Sequence, residues 1–154
     1  MSFKPYNLDK IAQELVLKYR DKDVLNESHK MRMTIAYGLE RFWGEQLRLR
    51  GKNESKTEGK YWTDVWDALT TKILHPANIL LPENPSDLEY PPDVREETKE
   101  QKKAREERNT PKITVMASEL WDFGREHPQD QRIALAILTQ LCDSLVWWTQ
   151  RYKP

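Results

Sequence analysis

The chain is 154 residues long, near the usual size of one domain, and its 25 basic and 25 acidic side chains cancel to a net charge of zero. That balance excludes general attraction to polyanions as a driving force. The lone cysteine, Cys142, excludes an internal disulfide and a thiolate zinc cluster and points to a reducing compartment.

No stretch approaches the roughly 20 apolar residues of a membrane-spanning helix, and the opening MSFKPYN carries no apolar signal core. Neither secretion nor membrane insertion is signalled, and the cytoplasm is the expected location. Hydrophobic residues make up 38% and charged residues 32%, with 6 Trp, 6 Tyr and 3 Phe against 5 Gly, so the apolar allotment is concentrated in large rings. The expected core is aromatic and helical.

In chain order, Leu8, Ile11, Ala12, Leu15 and Tyr19 recur at the spacing of one helical face, with Asn7 placed to cap it. A long second helix, capped by Asn26 or Ser28, carries Met31, Ile35, Leu39, Phe42 and Leu49, with Gly38 as a close-packing position and Gly51 as its end. The run GKNESKTEGK over 51–60 has no apolar residue and predicts an exposed, mobile loop. A third helix is expected from a Thr63 cap through Trp62, Trp66, Leu69 and Ile73 to the break at His75-Pro76, with Ile79, Leu80 and Leu81 pinning the turn.

Residues 82–92, PENPSDLEYPP, should run extended. The following DVREETKEQKKAREER has only Val94 and Ala104 to anchor it and reads as a marginal helix or a disordered insert. Thr110 as cap and Pro111 at the first position open a fourth helix with Ile113, Met116, Ala117, Leu120 and Trp121, closed by His127-Pro128. Asp130 caps the fifth, whose stripe Ile133, Ile137, Leu141, Leu145, Trp148 and Tyr152 is widened by Ala134, Leu138 and Cys142 into a central element. The expectation is one all-α domain over 1–154, a bundle of about five helices with a long polar insert between the third and fourth.

Reaction chemistry finds little footing. His29, His75 and His127 do not pair at helical spacing, and the latter two precede prolines at helix ends, where a protonated ring would favour the negative end of the macrodipole. Glu119, Asp122 and Glu126 could share a helical face and offer carboxylates to a divalent ion or a proton, but the spacing is commonplace on solvated faces, and without histidine or glycine-rich partners nearby the solvated face is the reading taken. Phosphate-loop, serine-elbow and zincin motifs are absent. No catalytic residue, metal or cofactor is assigned, and the chain reads as a binding protein and not as an enzyme.

Arg41, Arg48, Arg50, Lys52, Lys56 and Lys60 line the second helix and the loop after it, interleaved with Phe42, Trp43, Tyr61 and Trp62. Cations for phosphates beside rings for bases are what single-stranded nucleic acid requires, so these cations with Trp43 and Tyr61 form the expected contact for RNA or single-stranded DNA. The Trp147-Trp148 pair cannot point one way on a helix, so one ring should face the core and the other a partner, with Arg151 beside it. A protein-binding adaptor or regulator that docks through that tryptophan and the charged insert is the alternative, with self-association as its close variant.

A short all-helical chain with a basic face and the aromatic, apolar final helix IALAILTQLCDSLVWWTQRYK resembles the small subunits of type III CRISPR effector complexes. The resemblance covers size and architecture and transfers no individual residue. It implies a nonenzymatic helical subunit of an antiviral assembly, lying beside RNA and contacting other protein subunits.

Overall fold

Alternating spacings of three and four put Leu8, Ala12, Leu15, Val16 and Tyr19 on one buried face of helix α1, Pro5–Tyr19, in a computed structural model that describes residues 5–93 and 95–154. Five further α-helices follow: α2 Glu27–Thr34, α3 Leu39–Arg50, α4 Lys56–Asp67, α5 Lys99–Glu126 and α6 Pro128–Tyr152. All regular structure among the described residues is helical, as the periodicity predicts. Asn7 is not a cap, because α1 has already begun at Pro5.

The predicted long second helix is two helices. Gly38 adopts φ +99° and ψ 169°, a backbone that side-chain-bearing residues rarely take, and its carbonyl accepts from the Phe42 N–H to start α3. Gly38 therefore turns the chain where close packing was expected. Neither Asn26 nor Ser28 caps α2 through its side chain: Asn26 makes no cap bond, and Ser28 is committed to the core.

The predicted mobile loop is also mostly helix, since α4 starts at Lys56. Gly59 is buried where α4 lies against the end of α3, and a Cβ there would stand 2.7 Å from the Arg50 backbone nitrogen. Hydropathy could not find this contact because it is made by the absence of a side chain. Thr63 lies inside α4, its hydroxyl 2.7 Å from Gln46 Oε1. The chain then winds wider into a π-helix, Ala68–Leu74, and a 3₁₀ turn, His75–Ala77, ending on left-handed Asn78.

The aromatic core forms where α3 meets α4. Phe42 lies 4.9 Å from Trp62 and 6.3 Å from Trp66 between ring centroids, and Tyr61 meets Tyr19 at 4.9 Å. Each such ring contributes roughly 2–3 kcal/mol of burial. Polar atoms that enter this core are partnered: Trp62 Nε1 donates to Glu27 at 2.9 Å, and the Ser28 hydroxyl sits between Tyr61 at 2.7 Å and Thr149 at 2.8 Å. Helix α6 packs against α1, α2 and α5, burying Ala134, Ile137, Leu138, Leu141, Cys142 and Leu145, the central role its broad apolar stripe predicts.

Residues 82–93 and 95–98 form a non-helical strap over α3 and α4 and back along α5. Trp66 Nε1 donates to the Pro82 carbonyl at 3.0 Å, and Trp43 Nε1 donates to Asn84 Oδ1 at 2.6 Å. The strap then meets α5 through clamps. The Asn109 side chain accepts from Glu89 N–H at 2.9 Å and donates to Glu89 C=O at 2.8 Å; Arg108 forks onto the Glu89 carboxylate, and Arg105 onto that of Glu97.

Of the two readings of the charged run, marginal helix or disordered insert, the helix is the one found, from Lys99 onward, with these polar clamps in place of apolar anchors. Helix α5 is capped by Thr98, whose hydroxyl accepts from Gln101 N–H while the Gln101 side chain accepts from Thr98 N–H in return. It runs unbroken to Glu126, so Thr110 is no cap and Pro111 sits in its interior. Pro111 is exposed, and so is Glu107, whose carbonyl loses its usual donor because proline has no N–H. Val94 lies outside the described residues. His127 alone separates α5 from α6, and Pro128 opens α6 at its first position, two residues before the expected Asp130 cap. No helix among the described residues is long and apolar enough to cross a membrane.

Candidate nucleic-acid interface

Helix α3 ends in Arg48 and Arg50, followed by Lys52, cations that sit favourably at the negative end of its dipole. Opposite them run the strap and the first half of α5. Between lies an open groove of about 410 Å³. Arg48 and Lys52 line one wall, Lys102 and Arg105 the other, and Leu47, Tyr90 and Ile113 supply its apolar surface. Tyr90 is fixed by Arg50, whose guanidinium lies 3.6 Å from the ring centroid and whose Nη1 donates to Thr63 at 3.1 Å.

The walls carry both signs. Glu89 and Glu106 also line the groove. The Glu89 carboxylate is occupied by Arg108, which holds its pKa below the ordinary range, and the Arg105 guanidinium is held by Glu97 and kept firmly protonated. Arg48 is paired with Glu45, which likewise raises its pKa. The ammonium groups of Lys52 and Lys102 make no hydrogen bond or ion pair with the described residues, so they are the least committed cations of the groove.

The remaining predicted positions scatter. Arg41 is exposed, 5.6 Å from the Tyr37 ring centroid; Lys56 is paired with Asp93; Lys60 is exposed on α4. Trp43 and Tyr61 are 4% and 0% exposed, so neither can stack on a base without opening the core, and both are withdrawn from the interface. Burial also keeps the Tyr61 hydroxyl far above its ordinary pKa, hence neutral. The sequence missed Tyr90, Lys102, Arg105 and Ile113, which lie 42 to 65 positions from Arg48 and reach it only through the strap.

The tryptophan pair divides as its helical phase requires. Trp148 is half-buried: its Nε1 donates to Asp9 at 2.9 Å and its ring stacks on Tyr152 at 5.2 Å. Trp147 is 47% exposed, its edge against Trp148 at 4.7 Å and the Arg151 guanidinium 3.8 Å over its ring.

His29, His75 and His127 are exposed and apart, and the last closes on Phe123 at 5.9 Å. Asp122 and Glu126 are both paired with Arg125, and among the described residues no group of three or more His, Cys, Asp or Glu is placed to hold a metal ion. Cys142 is buried, which pushes its thiol far up and leaves it un-ionised. Comparison with protein-family models, with curated proteins and with solved structures finds no match to this chain.

Proposed function

We propose that the chain is a nonenzymatic helical subunit of a macromolecular assembly, holding single-stranded nucleic acid in the groove between α3 and α5. One observation carries the reading: the fold brings Lys52 and Lys102, fifty residues apart, to the two walls of one groove whose surface includes the ring of Tyr90. Phosphates take the lysines, and a base takes the face of Tyr90 turned away from Arg50. An open groove suits a strand that enters and leaves better than an enclosed small molecule. The resemblance to CRISPR effector small subunits drawn from the sequence is part of the same proposal.

The test is fluorescence polarisation of labelled oligo-U and oligo-dT against increasing salt. Lys52→Glu and Lys102→Glu should each weaken binding and flatten the salt dependence, by roughly 0.7 in log–log slope for each phosphate left without its cation. Lys72→Glu, an exposed position lining a different cavity, should change neither. Absence of binding by the unaltered chain at low salt, or equal effects from all three variants, would reject the groove.

A further inference from the structure

We infer that the outer face of α6 is a self-complementary interface through which two copies of the chain pair about a two-fold axis at Trp147. Asp143, Trp147 and Arg151 stand at successive i, i+4 positions and form one exposed row along the helix. In a two-fold pair, any residue that touches a second one is touched by that same residue in return. With α6 antiparallel to its copy and the axis at Trp147, each Arg151 lies opposite the copy's Asp143, both about 6 Å from the axis at 1.5 Å rise per residue. Both ion pairs then form from one chain's own sequence, and the two Trp147 rings meet at the centre.

Each group is prepared for that role. Arg151 lies flat on Trp147, and its Nη1 is spent on the Trp147 carbonyl and Gln150, whereas Nε and Nη2 have no partner among the described residues. Asp143 receives Arg32 on Oδ1 at 2.6 Å, which fixes the carboxylate and leaves Oδ2 to accept a second guanidinium. Their neighbours along the helix do not oppose pairing: Gln140 before them and Ser144 and Gln150 between them are uncharged on a chain that is 32% charged. Tryptophan and arginine are also among the residue types enriched where a few side chains dominate a protein interface.

This pairing stands apart from the α3/α5 groove, which uses none of these residues. Sedimentation velocity across a concentration series to about 200 µM tests it, since an interface built on one helix face belongs to the weak, micromolar class. The unaltered chain should dimerise, and Trp147→Ala should weaken the dimer by at least about tenfold while circular dichroism stays unchanged. Arg151→Glu alone and Asp143→Lys alone should each be monomeric, because like charges then oppose one another twice. An equimolar mixture of these two variants should recover a dimer, each altered charge now facing its opposite. A wild-type chain that stays monomeric throughout the series, or variants that do not recover on mixing, would overturn the inference.

Discussion

Gly59 and Gly44 both lie inside helices, yet replacing each by alanine should move stability in opposite directions. A Cβ on Gly44 has nothing within 4 Å, so only the helical preference for alanine acts, worth about 0.5–1 kcal/mol in favour of folding. A Cβ on Gly59 would stand 2.7 Å from the backbone nitrogen of Arg50 and 3.1 Å from its Cα. Backbone cannot swing away as a side-chain tip can, so α3 and α4 must separate along the face they share. Such overpacking costs about 1–3 kcal/mol, here toward the upper end; after the propensity gain a net loss of about 2 kcal/mol remains. For a domain of this size that lowers the melting temperature by about 4–8 °C, whereas Gly44→Ala raises it by a few degrees. Urea unfolding followed by circular dichroism reads both, with an unchanged m-value certifying that stability and not compactness has shifted. Gly59→Ala should also dislodge Arg50 from Tyr90 and weaken binding in the groove. A Gly59→Ala protein as stable as the parent would refute the close approach of α3 and α4.

Thr98→Ala removes one half of the capping box and should cost about 1 kcal/mol, read as faster hydrogen exchange at the first amides of α5 with little change at α6. Glu89, Asp93 and Glu97 all have pKa values lowered chiefly by hydrogen bonds from Arg108, Lys56 and Arg105 respectively. Because their folded values lie below the unfolded ones, the strap clamps contribute fully above the ordinary carboxylate range and fade as acid protonates the folded forms. Protection of the first half of α5 should therefore hold from neutral pH to about 5 and fall below about 4. Glu97→Gln should lower that protection at neutral pH and flatten its fall, and a pH-independent profile in the parent would contradict the clamp assignment. Cys142 should react with a thiol reagent at pH 8 only as fast as the chain opens, more than about a hundredfold slower than in urea; prompt labelling would place it outside the core.

The all-helical class, the buried stripes of α1, α4 and α6, the His127-Pro128 break and the divergence of the Trp147 and Trp148 rings were legible in the order of residues alone, whereas which of the two rings stays exposed was not. They follow from periodicity and from proline geometry, which act within a few residues and leave a local trace. Packing across the whole chain settled what local patterns cannot encode. Gly38 is a turn because its backbone takes a positive φ, and Gly59 a helix contact because the Arg50 backbone lies against it, a difference that hydropathy does not record. The charged run after the strap is an ordered helix since Glu89 and Glu97, distant from Arg108 and Arg105 by 19 and 8 positions, supply the partners that apolar residues do not. The same long-range folding withdrew Trp43 and Tyr61 into the core and set Lys52 across a groove from Lys102, because burial and juxtaposition depend on how distant segments meet and not on the residues beside them.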